Sequence, residues 1–258
     1  MWSPEGVVRA HNVHNGDGEP AQAAQRFLAG MAAVGANVGV ITEAKALVPH
    51  LRRLAPRQGL EVVAETPRPT RAGVPVPEQG DTVLLVDREL VRRVATKVRD
   101  LSWIVRRYSR VHEPRRDQVA LTRGLVRGYL ALHAPPGGPD DRLNGTAWKD
   151  QVTEALRWAG RGGCRAVIGD INCSKARLRE FLDQYDGPHG DRVRGAVIVG
   201  EGVDLAIVVG GRATARTMGC DGSDHPVLVY AIVARGRLAA ARRWLGKRIR
   251  RARKKARA

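Results

Sequence analysis

The sequence predicts an α/β protein with two packed sheets and helices outside them. Two observations support this. Short apolar, strand-like runs recur along the chain, more than one doubly wound sheet needs, and only about four stretches show helical spacing. A length of 258 residues with 43% hydrophobic content fits one large α/β domain or two small ones with a full core.

The elements follow in order. Val7–Val13 opens as a strand, and Pro20–Ala36 reads as a helix, with Pro20 in its first turn and Ala24, Phe27, Leu28, Met31 and Val34 on one face. Val38–Ile41 is a strand ending in Thr42-Glu43. Ala44–Leu54 reads as a helix bent or restarted at Pro49, and Leu60–Ala64 as a strand. The proline-rich run Arg68–Gln79 reads as a loop, followed by the strand Thr82–Val86. Leu90–Arg110 fits strands by its Val and Trp content, but its arginines and lysine leave a polar face. Gln118–Thr122 and Leu125–Leu132 pair as strands, the second ending at His133, and Ala134–Gly145 is a loop. Thr146–Ala159 is a helix with Thr146 as N-cap and a stripe through Trp148, Val152, Ala155, Leu156 and Ala159. Arg165–Ile168 is a strand running into Gly169-Asp170-Ile171-Asn172, and Ser174 caps a helix to about Tyr185. Arg194–Val199, Val203–Val209 and His225–Val233 complete the strands.

Charge divides the chain. Net charge is +18, yet Arg235–Ala258 holds 12 Lys/Arg and no acid, leaving 32 bases against 26 acids before it. A catalytic domain over 1–234 and a basic tail over 235–258 are the expected units. Arg242, Arg243, Lys247, Arg250 and Lys254 track one face of a possible tail helix, with Leu238, Ala241, Leu245 and Ile249 on another and Trp244 beside them. Such a tail suits a polyanion: nucleic acid, with DNA the expected partner, or an acidic membrane surface. A merely solubilising extension is the alternative. The arginines at 106, 107, 110, 115 and 116 offer a second basic patch. Nothing in the sequence points to a protein partner. Three cysteines without metal-like spacing and no signal-like N-terminus fit reduced thiols in the cytoplasm.

Polar residues cluster at strand ends: Asn12, Glu43, His133, Asp170, Asn172, Asp204, Asp224 and His225. Singly, each has a plain explanation, such as a turn former or an acid opening a helix. Asp204 is harder to dismiss, because a carboxylate flanked by apolar strand residues needs a partner. Asp224-His225-Pro226 precedes a long apolar run, so the acid and imidazole sit at a strand's mouth, where Pro is tolerated.

In order and spacing, His11-Asn12-Val13, Glu43, His133, Gly169-Asp170-Ile171-Asn172, Gly202-Val203-Asp204 and Ser223-Asp224-His225-Pro226-Val227 resemble the endonuclease/exonuclease/phosphatase superfamily, the deoxyribonuclease I-like proteins, over roughly residues 6–234. That resemblance implies a four-layer α/β/β/α sandwich of two mixed sheets and metal-dependent phosphoester hydrolysis. It casts Glu43 as principal ligand of Mg²⁺ (or Mn²⁺), with Asn12 and Asp224 supporting. Asp170 and Asn172 would hold the attacking water and a phosphate oxygen. His225 would act as general base or phosphate binder, oriented by Asp204, and His133 would stabilise negative charge. Oxygen donors of this kind suit Mg²⁺ rather than zinc. The sequence departs from the common pattern at Thr42, His14, Ile171 and Pro226, and Tyr108 or Tyr129 would have to serve as the tyrosine of abasic-site enzymes. DNA hydrolysis is the expected activity. Hydrolysis of phosphoinositides or small phosphates, and nucleic-acid binding without catalysis, are the alternatives.

Overall fold

The computed structural model describes residues 6–13, 19–69, 75–88, 95–99, 118–123, 127–221 and 223–234. The basic tail, the arginine cluster at 106–116, His14 and Tyr108 lie outside these residues.

Two six-stranded sheets stack face to face. The first has the order β11-β12-β1-β2-β4-β3 and the second β5-β6-β7-β8-β10-β9. Their strands are β1 (Gly6–Asn12), β2 (Val38–Lys45), β3 (Leu60–Pro69), β4 (Pro75–Asp87), β5 (Ala95–Arg99), β6 (Gln118–Arg123), β7 (Arg127–His133), β8 (Cys164–Asp170), β9 (Val197–Glu201), β10 (Asp204–Val209), β11 (Gly211–Thr217) and β12 (Leu228–Ala234). Each sheet has one parallel pair at its centre, β1–β2 and β7–β8, and antiparallel neighbours elsewhere.

Helix α1 (Pro20–Ala33) joins β1 to β2, and α3 (Gly145–Gly160) joins β7 to β8. The other helices are α2 (Leu47–Leu54), α4 (Lys175–Asp183) and α5 (Gly190–Arg194). Three apolar clusters fill the layers. One, with Val8, Val40, Ala131, Ile168 and Tyr230, lies between the sheets. A second packs α1 and α2 on the first sheet through Phe27, Leu28, Met31 and Leu51. The third packs α3 and α4 on the second sheet through Trp148, Leu156 and Leu178. Strand alternation sends residues such as Val8 and Ala10 to one face and Arg9 and His11 to the other. The result is a four-layer α/β/β/α sandwich.

Several boundaries differ from the sequence reading. Helix α1 stops at Ala33 because Gly35, at φ +62°, closes it: Gly35 N donates to Ala32 O and Ala36 N to Met31 O. Ala44 and Lys45 extend β2, whose Lys45 pairs with Gly80, so α2 starts only at Leu47. The proline-rich run forms the ends of the β3–β4 hairpin instead of a loop. Pro67 and Pro69 sit on an edge strand with register shifts, and Pro75 and Pro77 lie past the last β2 pairing, so missing N–H groups cost little there. Asn144, not Thr146, precedes α3, and Asp141 Oδ1 accepts from the Leu143 and Asn144 amides at 2.9 and 2.6 Å. Ser174 caps α4 as expected, accepting from Arg177 N. Residues 190–194 are helical, so β9 begins at Val197. Strand β12 begins at Leu228, after Val227 N bonds to Gly219 O.

Beneath α1, Arg9 lies 4.5 Å over the Phe27 ring and pairs with Asp221. Beside it His11 is buried, and its Nε2 has no hydrogen-bond partner among the described residues. Burial, then the Arg9 charge, lowers the His11 pKa to about 4. The unfolded chain holds this proton at the ordinary pKa near 6.5, so stability is lost as pH falls from about 6.5 towards 4, by on the order of 3 kcal/mol. Urea midpoints at pH 5 and 7 should therefore differ, and His11→Gln should remove most of that difference.

Candidate active site

The C-terminal ends of the two central parallel pairs meet at one pole of the sandwich. Asn12 ends β1, Glu43 lies near the end of β2, His133 ends β7 and Asp170 ends β8. Side chains at the C-terminal edge of parallel strands face a crevice rather than a neighbouring strand. Stacking the sheets brings the four together. Asn12 Nδ2 donates to Asp170 Oδ2 at 2.8 Å, and His133 Nε2 lies 3.6 Å from Glu43 Oε1 and 3.7 Å from Asp170 Oδ2. All four are buried.

Asp170 Oδ1 also accepts from the Asn172 amide at 2.8 Å, and Asn172 Nδ2 donates to Ala134 O at 2.8 Å. Strand β10, antiparallel to β8, places Asp204 directly opposite Asp170. Asp204 Oδ2 then holds His225 Nδ1 at 2.7 Å. The His225 segment is anchored by Ser223, whose Oγ donates to Asn12 O at 2.7 Å and accepts from His225 N at 3.1 Å. Ser223 was visible in the motif, but its anchoring role was not. Asp224 is exposed at the rim, with Oδ1 3.4 Å from Ser223 Oγ. Ser223 Oγ thus lies between Asp224 and the Asn12 end of the group.

The fold matches solved structures. An endonuclease/exonuclease/phosphatase protein from Beutenbergia cavernae aligns over 90% of this chain and 72% of its own, with TM-score 0.60 and 14% identity. D. rerio TDP2 complexed with a single-strand DNA product aligns over 88% and 97%, with TM-score 0.59 and 11% identity. The human Nocturnin catalytic domain, which carries a bound sulfate anion, aligns over 89% and 94%, with TM-score 0.56 and 13% identity. The chain has the endonuclease/exonuclease/phosphatase fold. No protein-family pattern matches the sequence, and no curated protein matches it.

On this fold the local backbone is strained where the polar groups gather. Glu43 and Asn172 both have φ of 53°, the left-handed region that non-glycine residues seldom enter. Such strain persists only where the surroundings fix it, and it concentrates at functional sites. Gly169 shows the converse. At φ +142°, an added Cβ would lie 2.2 Å from Leu132 O. Gly169→Ala should cost roughly 3 kcal/mol or more from strain and overpacking, read as a lower urea midpoint. Below Asp170, buried Trp148 donates Nε1–H to Ile171 O at 2.6 Å and so pins the Gly-Asp-Ile-Asn turn.

Among the described residues the site is rich in acids. Glu43, Asp170, Asp204 and Asp224 surround two imidazoles. The hydrogen bond from Asp204, opposed by burial and aided by the Asp204, Asp170 and Asp224 charges, raises the His225 pKa to about 9. Burial pushes the Asp204 pKa up, while the His225 bond pulls it down. The pair is best described as imidazolium and carboxylate, because the short bond and three nearby acids all favour the charged ring.

No trio of His, Cys, Asp or Glu among the described residues is already drawn into a metal cage. The donors nevertheless fit Mg²⁺ by type: a buried carboxylate, an adjacent amide and further acids, all hard oxygen ligands. Mg²⁺ commonly uses one or two carboxylates and keeps several waters, so a closed cage is not required. Glu43 and Asn12 would hold such an ion, with Asp224 at the rim.

Proposed function

We propose that the protein is a divalent-metal-dependent phosphodiester hydrolase acting on DNA. The observation that carries this reading is the meeting of Asn12, Glu43, His133 and Asp170 with the Asp204–His225 pair at one pole of this fold.

A bound Mg²⁺ would offset charge on the phosphate and, by neutralising nearby acids, ease loss of the His225 proton. Asp204 fixes the His225 ring through Nδ1, so Nε2 is the atom that holds or takes a proton. As imidazolium, His225 donates to a phosphate oxygen; as the neutral ring, it accepts the proton of the attacking water. The raised pKa favours the first role in the resting protein. Asp170, fixed by Asn12 and the Asn172 amide, orients water, and the Asn172 side chain meets a phosphate oxygen. His133, buried between Glu43 and Asp170, stabilises charge on the phosphoryl group.

Charge supports DNA as substrate: +18 overall, concentrated in the tail residues Arg242, Arg243, Lys247, Arg250 and Lys254 and their neighbours. One neighbour in fold, TDP2, is seen with a single-strand DNA product. None of the three cysteines is in a disulfide. No helix among the described residues is long and apolar enough to cross a membrane.

The test is hydrolysis of plasmid and oligonucleotide DNA at low salt with Mg²⁺. Cleavage that stops with EDTA and with His225→Ala supports the proposal. Hydrolysis of inositol phosphates or lipid headgroups without DNA cleavage moves the substrate to phosphoinositides or small phosphates. DNA binding with no hydrolysis of any phosphate ester makes the protein a non-catalytic binder.

A further inference from the structure

Strand β12 carries the chain away from the site. It is antiparallel to β1, with Leu228 beside Ala10 near the catalytic pole and Ile232 beside Gly6 at the far one. Seven residues at about 3.3 Å each set the two ends roughly 20 Å apart. Ala234 pairs with Gly211, so the 12 Lys/Arg of Arg235–Ala258 follow directly from the far pole.

That pole is already basic. A Cβ added to Gly210, next to Gly211, would meet the Arg192 guanidinium. Arg192, Arg161 and His189 line an open cavity of about 280 Å³. Arg165 stands beside them, 4.9 Å over the Trp158 ring, with Nη1 bonded to Trp158 O at 2.5 Å. Arg192 Nη2 is bonded to Gly163 O. These carbonyl bonds fix two guanidinium groups without neutralising either. Asp191 also lines the cavity, but its carboxylate is taken by Arg194 at 2.5 Å. Among the described residues no carboxylate pairs with Arg161, Arg165 or Arg192. Burial and the charges of Arg161 and Arg192 depress the Arg165 pKa, the mark of cations crowded without a counter-ion.

We propose that this far pole is a second nucleic-acid-binding surface, in which the cavity lined by Arg161 and Arg192, with Arg165 next to it, seats a backbone phosphate. Planar, pre-fixed guanidinium groups suit phosphate oxygens. A lipid surface is the weaker match. The large exposed hydrophobic residues among those described are Leu143 and Met218. Both follow strands that end at the catalytic pole, so the described residues of the basic pole offer no such side chain for insertion. The surface needs no hydrolysis and does not rest on the catalytic reading.

The experiment is binding of a fluorescein-labelled 30-base-pair duplex by the full chain in EDTA, titrated with salt. Arg161 has no structural bond to lose, so Arg161→Ala and Arg161→Glu should melt like the parent. Kd should rise about 5- to 10-fold for Arg161→Glu and less for Arg161→Ala, and the salt slope should fall by about 1, one phosphate contact. Unchanged Kd and slope in both variants would overturn the surface. So would tighter binding to phosphatidylserine vesicles than to the duplex. Because no metal is present, failure here leaves the hydrolytic proposal standing, and the reverse holds equally.

Discussion

His225→Ala is expected to lower kcat on DNA by 10²–10⁴-fold, the usual worth of a positioned proton-transfer group. Asp204→Asn should lose a similar order, because the ring's position and tautomer depend on the 2.7 Å bond from Nδ1 to Asp204. The double variant should be hardly worse than either single one, as residues acting as a unit are not additive. An independent readout is available by NMR. The Asp204 bond is the largest cause of the raised His225 pKa, so in Asp204→Asn the ring should titrate well below about 9. The sign for stability follows. A pKa raised from about 6.5 in the unfolded chain stabilises the fold fully below that pH. The contribution then fades as pH rises through about 9. Unchanged kcat in both variants would remove the pair from the mechanism.

Glu43→Gln should reduce metal-dependent hydrolysis by roughly 10³-fold or more, since a lost metal ligand forfeits several kcal/mol of charge stabilisation. The same change should raise the melting temperature of metal-free protein. It removes one of the acids crowded around His133, and natural sites give up stability for such charge. Glu43→Gly separates charge from backbone strain. At φ 53° a glycine relieves about 1–2 kcal/mol, so it should be more stable than the glutamine variant while equally inactive. Isothermal titration with Mn²⁺ should show weaker binding in both variants. Hydrolysis that resists EDTA and survives either change would exclude Glu43 as a ligand.

The sequence was legible where one physical pattern dominated. Asn12, His133 and Asp170 close apolar strands, so their positions at an edge followed from periodicity and order. Their meeting did not, because it depends on how two sheets stack across more than a hundred residues. The left-handed turns at Glu43 and Asn172 were equally hidden, since neither residue type announces such a conformation. Strand β11 was missed because Gly211-Arg-Ala-Thr-Ala-Arg-Thr217 is an edge strand with an exposed, charged face and little apolar signal. The β3–β4 ends were misread because proline argues for a loop unless the strand is an edge or extends past its neighbour. Asp224 was grouped with the metal residues by the family resemblance, and its exposure at the rim was not readable from the sequence.

The pairing of β12 with β1 governs when during synthesis the protein becomes competent. A nascent chain that has emerged only as far as Thr217 carries Glu43 and Asp170 but not His225, and its first sheet still has β1 open on one side. On the proposed function, hydrolysis would thus be withheld until the ribosome has made the closing strand, and an incomplete translation product would cut no nucleic acid.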